Sequence, residues 1–205
     1  VPTVAQISYA CGLLFLMPLG DILEKRKLLF CLMLLAAFGL LLSGFSSNIS
    51  LIILGTIITG LFSISAQLLL PLAASLVPIQ HSGRVVGFLI SGLMIGILLA
   101  RSLSGLMSTL FAWNVIYLIS GSLLLIIAFI LHQKIGAFPP TKTESYTTTI
   151  CSLPKIFKQN QRLRTRAYIG FLTFAGISMT FTTMSLLLAS FPYQLSDFSI
   201  GLFGL

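Results

Sequence analysis

Charge is scarce in this chain. Only 8% of its 205 residues are Asp, Glu, Lys or Arg, and just four of those are acidic. A soluble domain carries about 25% charged residues. One this apolar would expose broad hydrophobic patches in water and aggregate. Cysteine is equally sparse. Cys11, Cys31 and Cys151 are odd in number and far apart, with no C-x-x-C spacing and no His cluster beside them. That pattern excludes a disulfide framework and a metal site. The sequence also lacks a phosphate loop, an H-E-x-x-H motif, a nucleophile elbow and paired carboxylates. Neither an enzyme nor a bound cofactor is expected.

What the chain has is apolar surface. Hydrophobic residues make up 57% of it, and the mean hydropathy is +1.06. The apolar residues fall in six runs, 1–19, 28–45, 51–77, 85–110, 115–131 and 167–189, each 17 to 27 residues long. A helix of roughly 20 apolar residues crosses the hydrocarbon core. The runs are continuous rather than alternating, which excludes membrane strands. The fold class is therefore an all-α integral membrane protein of six crossings, and 200–205 reads as the start of another.

The basic residues fix sidedness. Lys25, Arg26 and Lys27 follow the first run, and Arg84 follows the third. Lys134, Lys142, Lys155, Lys158, Arg162, Arg164 and Arg166 follow the fifth. The even connections hold no Lys or Arg, so 11 of the 12 basic residues lie on one side. The positive-inside rule makes that side cytoplasmic. The net charge of +8 is then a product of topology and of attraction to anionic lipid, not a nucleic-acid footprint. Residues 1–131 read as one transmembrane bundle, 132–166 as a cytoplasmic linker with Pro139 and Pro140, and 167–205 as the start of a second bundle. At the end of the linker, 153–166 mixes Ile156, Phe157 and Leu163 with five basic residues. That suits either a helix on the inner leaflet or a disordered basic loop. Val1 already lies in an apolar run and Leu205 ends in one, so both ends look cut.

Five runs precede the linker and one follows it. With one more helix before Val1 the layout becomes six helices, a long cytoplasmic loop and a second bundle, which is that of the major facilitator superfamily, and short motifs strengthen the resemblance. The family pattern G-x-x-x-D-R-x-G-R-R is matched by Asp21, Lys25 and Arg26, with Met17, Ile22 and Glu24 departing from it. Residues 66–75 and 83–87 look like helix 4 and the start of helix 5, and the chain resembles bacterial members near the drug:proton antiporters. Gly92 and Gly96 fit the antiporter motif G-x-x-x-G-P-x-x-G-G, while Ile97, Ala100 and Arg101 depart from it. The resemblance implies helices 2 to 7 and the start of helix 8, about half of a transporter. It also implies a conformational latch at Asp21, Lys25 and Arg26. The expected function is efflux of a small solute across the bacterial inner membrane, with protons as coupling ion. The missing transporter half would be needed for activity. The alternative is a non-transporting remnant of a disrupted gene. The family's helix-4 Arg aligns near Thr56, and no acidic residue occupies the middle of a span. A proton carrier would therefore sit in a helix outside this chain.

Three polar residues within spans are cavity or pathway candidates. Gln6 and Gln67 are long amides that need partners, either in an aqueous cavity or on a neighbouring helix. Arg101 lies 16 residues past Val85, about 24 Å along a helix and so in the outer third of the span. It faces the cavity or snorkels to the outer headgroups. Gly92, Gly96 and Ala100 form a small-residue stripe suited to close helix packing. Arg101→Ala is expected to reduce transport while membrane insertion, read by fractionation, stays unchanged. Equal loss of both would assign Arg101 to folding.

Overall fold

The computed structural model describes residues 2–136, 146–191, 193–195 and 199, without the side chains at 101 and 109. Every regular element described is helical: α1 (Pro2–Phe15), α2 (Leu19–Ile22), α3 (Lys25–Gly44), α4 (Ile49–Phe62), α5 (Ser65–Ser75), α6 (Ile79–Leu110), α7 (Val115–Lys134), α8 (Tyr146–Gln159) and α9 (Gln161–Ala189). They make six spans long and apolar enough to cross a bilayer: Pro2–Ile22, Lys25–Gly44, Ile49–Ser75, Ile79–Ser108, Val115–Lys134 and Gln161–Ala189. The six expected crossings are all present, and the protein is an all-α, multi-pass membrane protein. The start of a further helix at 200–205 lies outside the described residues.

Two spans that read as continuous runs are interrupted. Pro18 has no N–H to continue α1, so the chain turns through Leu19 N–H to Leu16 C=O (3.1 Å) and Gly20 N–H to Met17 C=O (3.0 Å) before α2. The span Ile49–Ser75 pauses at Ser63 and Ile64. It resumes with Gln67 and Leu68 N–H donating to Ile64 C=O at 2.9 and 3.4 Å. The linker is more helical than expected. α8 fills its middle, and α9 starts at Gln161 rather than 167, taking Arg162, Arg164 and Arg166 into the helix. Asn160 sets that start: its side-chain oxygen accepts from Leu163 N–H at 3.2 Å, a side-chain N-cap. Pro139 and Pro140 lie outside the described residues.

The chain divides into two compact units. One is Val1–Leu93 with Trp113–Tyr146, and the other is Met94–Ala112 with Thr147–Leu205. In the first, α3 is the central post. Half of its span window is buried, against 17% or less for the other spans, and Leu28, Leu29, Leu32, Met33, Ala36 and Ala37 are buried on it. Small residues bring its neighbours close. A Cβ on Gly55 of α4 would run into Ser43 Oγ and come within 2.7 Å of Gly39 C=O. A Cβ on Gly121 of α7 would lie 2.9 Å from Leu41 and 3.3 Å from Ala37 C=O. Asn114, just before α7, donates from Nδ2 to Gly44 C=O at 3.0 Å and so satisfies a terminal carbonyl of α3. Without a hydrophobic drive between helices in lipid, such close approach supplies the packing.

Gly55→Ala is therefore expected to cost about 1–3 kcal/mol by overpacking and to lower the melting temperature in detergent by several degrees. Gly92→Ala, where an added Cβ meets nothing within 4 Å, should leave melting unchanged. Equal melting of both variants would remove α3–α4 contact as the organising packing.

Candidate functional site

One polar pair of the first unit lies where α1 meets α5. Gly12 of α1 lies against the backbone of Leu61, and Gly60 against Ser8 and the carbonyl of Ala5. This glycine-mediated approach brings α1 onto the interrupted span. Beside the interruption, Gln67 Nε2 donates to Tyr9 Oη at 3.2 Å, with both side chains half-buried. Pro71, one turn further on in α5, cannot donate to the carbonyl of Gln67 four residues back. Gln67 thus offers a side-chain amide and a backbone carbonyl at one level of the span. Beneath lies an apolar floor of buried Ile64, Leu28 and Leu32, with Leu13 and Phe62 against it. An interrupted helix with an amide–hydroxyl pair over an apolar floor has remaining hydrogen-bonding capacity for a solute that has both polar and apolar parts.

The other expected site residues are dispersed. Gln6 is exposed on α1, one turn before Tyr9. The backbone of Arg101 lies in α6, and its side chain is outside the described residues. Gly92, Gly96 and Ala100 are exposed on α6, where a Cβ on either glycine would meet nothing within 4 Å. Thr56, at the level of the family's helix-4 Arg, turns its hydroxyl to Ile52 C=O at 2.7 Å.

At the opposite end of α1, Asp21 is exposed on α2, and Lys25 and Arg26 open α3. Among the described residues the ion pair here is Lys27 Nζ to Glu24 at 2.9 Å, one turn apart. Asp21 is within ion-pair distance of neither Lys25 nor Arg26 among those residues. Arg26 instead tucks against α7. Its Nε and the Nδ1 of His132 are buried without a hydrogen-bond partner among the described residues. Both line one small pocket with Leu29, Phe30, Leu131 and Ile135. Phe30 stacks on the His132 ring at 4.4 Å. Sequence reasoning missed His132 and Tyr9. Their partners are distant in the chain, and the one local signal was a lone polar residue in or beside an apolar run.

A family model described as Major Facilitator Superfamily matches residues 1–205. The uncharacterized transporter YgaY of Escherichia coli O157:H7 is 45% identical over 202 residues, which is 98% of this chain and 51% of that protein. A Streptomyces coelicolor protein described as "Probable transporter SCO4007" is 27% identical over 204 residues, which is 99% of this chain and 47% of that one. The chain thus spans about half the length of the curated relatives it matches. No solved structure matches it.

Removing either partner of the Tyr9–Gln67 bond separates its roles. Tyr9→Phe should cost about 0.6 kcal/mol of stability, the size of an average interhelical hydrogen bond in a membrane. Gln67→Leu, which also removes the polar surface, is expected to abolish solute binding in a filter or scintillation-proximity assay on the longer protein while the chain still inserts. Unchanged solute binding by Gln67→Leu would dismiss this site.

Proposed function

We propose that this chain, which belongs to the Major Facilitator Superfamily, supplies one membrane bundle and the start of a second for a transporter of small amphipathic solutes. In this reading residues 1–131 form the first bundle, 132–166 a cytoplasmic linker and 167–205 the opening of the second. The membrane is the bacterial inner membrane. Transport proceeds by alternating access, the two bundles rocking around a site near the midplane, with efflux coupled to protons. The observation that carries this reading is the Tyr9–Gln67 pair beside the interrupted span, in a chain that matches the family over its whole length.

Each remaining residue has a role in that cycle. Gln6 and Arg101 are further cavity or pathway residues, each on its own span. Asp21, Lys25 and Arg26 act at the cytoplasmic end as a latch whose partner lies outside these residues. Arg26 Nε, buried without an acceptor among the described residues, is the group most in need of one. Gly92, Gly96 and Ala100 leave α6 smooth on one face, which suits close contact with the other half of the family layout. The spans described contain no carboxylate at mid-depth, so the coupling proton is carried outside this chain.

The test compares cells that lack their own efflux pumps and express either the longer protein or these 205 residues. Accumulation of fluorescent amphipathic solutes is followed with and without a proton uncoupler. Saturable, uncoupler-sensitive efflux is expected from the longer protein alone. Efflux by the 205 residues would overturn the need for the other half. Efflux that ignores the uncoupler would overturn proton coupling.

A further inference from the structure

Among the described helices α8 has the sharpest division into two faces. Tyr146, Ile150, Leu153 and Phe157 recur at helical spacing along one side, and Thr148, Ser152, Lys155 and Gln159 along the other. A face of that composition normally packs on a core, yet no residue of α8 is fully buried: Tyr146, Ile150 and Leu153 are half-buried and Phe157 is 38% exposed. The helix carries no acidic residue, and Lys155, Lys158, Arg162, Arg164 and Arg166 put five positive charges into its last turns and the entry to α9.

A single residue, Asn160, separates Gln159 at the end of α8 from α9. The apolar part of α9 begins at Ala167, so its polar first six residues, Gln161–Arg166, rise about 9 Å along the helix axis. The headgroup layer on each side of a bilayer is roughly 5–8 Å deep. The tether therefore keeps α8 at the level of the headgroups, where an apolar face of this kind seats at the acyl boundary.

We propose that α8 is a lipid-reading helix. Its Tyr146, Ile150, Leu153 and Phe157 face seats in the bilayer surface beside α9. Lys158 at its flank, with Arg162, Arg164 and Arg166, gathers the phosphates of anionic phospholipids. Charge complementarity and the short tether select the bilayer of the same molecule as the occupant of that face. The inference requires only that α9 spans the membrane, and it holds independently of any transport activity.

The chain would be placed in nanodiscs of phosphatidylcholine, with or without a third of phosphatidylglycerol. A single fluorophore is attached through Phe157→Cys or Lys155→Cys after Cys11, Cys31 and Cys151 are changed to Ala. With phosphatidylglycerol present, the label at 157 should be quenched by doxyl-labelled lipid and shielded from acrylamide, and the label at 155 should behave in the opposite way. Lys158→Gln with Arg162→Gln should shift the ratio of seated to released helix by about 30-fold towards release. Equal acrylamide access at 155 and 157 overturns the proposal. Shielding at 157 without lipid quenching also overturns it, since protein, a second copy included, would then cover the face. Seating of the same extent in pure phosphatidylcholine overturns headgroup recognition.

Discussion

A polypeptide in hydrocarbon must satisfy its own backbone hydrogen bonds, because no water is there to do so and each orphaned group costs several kcal/mol. That constraint produces six long helices in this chain and makes every departure from helix meaningful. The departures at mid-span are few: the turn before α2, the pause at Ser63 and Ile64, and Pro71 within α5. All fall on the two spans that touch through Gly12 and Gly60. A backbone defect is tolerable where a neighbouring helix or a polar side chain can reach it. The close approach of α1 to α4 and the amide of Gln67 provide both. The same features that keep the interruption affordable leave hydrogen-bonding capacity inside an otherwise apolar bundle.

Those neighbours are held by α3. Its outward-facing small residues let α4 and α7 approach from two sides, and the Asn114 bond to Gly44 ties the start of α7 to the end of α3. Thr59 Oγ1 adds a longer contact to Ala36 C=O at 3.4 Å. Packing of this kind leaves little room for adjustment at Gly39 and Gly55, where a Cβ would come within 2.8 Å of the facing helix's backbone. α6 is the contrast. An added Cβ on Gly83, Gly87, Gly92 or Gly96 would meet nothing within 4 Å among the described residues.

The crossings were legible because hydrophobic length is a property of the chain alone: six continuous runs became six spans. Sidedness was equally local, being carried by Lys and Arg on alternate connections. The pause at Ser63 and Ile64 was not legible. No Gly or Pro marks it, and Pro71, which is visible in the sequence, sits seven residues later inside a helix that continues through it. The start of α9 was not legible either: a polar, basic stretch is open to helix or loop, and the cap at Asn160 lets the helix begin six residues before the apolar run. At the site, Gln67 was visible as an amide where an amide is costly. Its partner Tyr9 was not, since a tyrosine in an apolar run has many possible neighbours, and the choice depends on which helix packs against which.

Charge distribution decides what holds the end of α3 that starts at Lys25. The Lys27–Glu24 pair has Lys27 three-quarters exposed, and an exposed pair one turn apart contributes only about 0.3–0.5 kcal/mol. It cannot fix an arrangement of helices. The buried Arg26 Nε and His132 Nδ1 act in the other direction. Each donor or acceptor left unsatisfied costs about 1–3 kcal/mol, several times what the exposed pair returns. The arrangement of α3 against α7 is therefore maintained by apolar contacts of Leu29, Met33 and Ala128 against a polar penalty at its end. A carboxylate or carbonyl that reached Arg26 would relieve that penalty, and relief of a buried donor can bias one arrangement of helices over another more strongly than a new surface ion pair could. At this end of α3, Arg26 Nε rather than exposed Asp21 is therefore the group whose environment an incoming acceptor would change most.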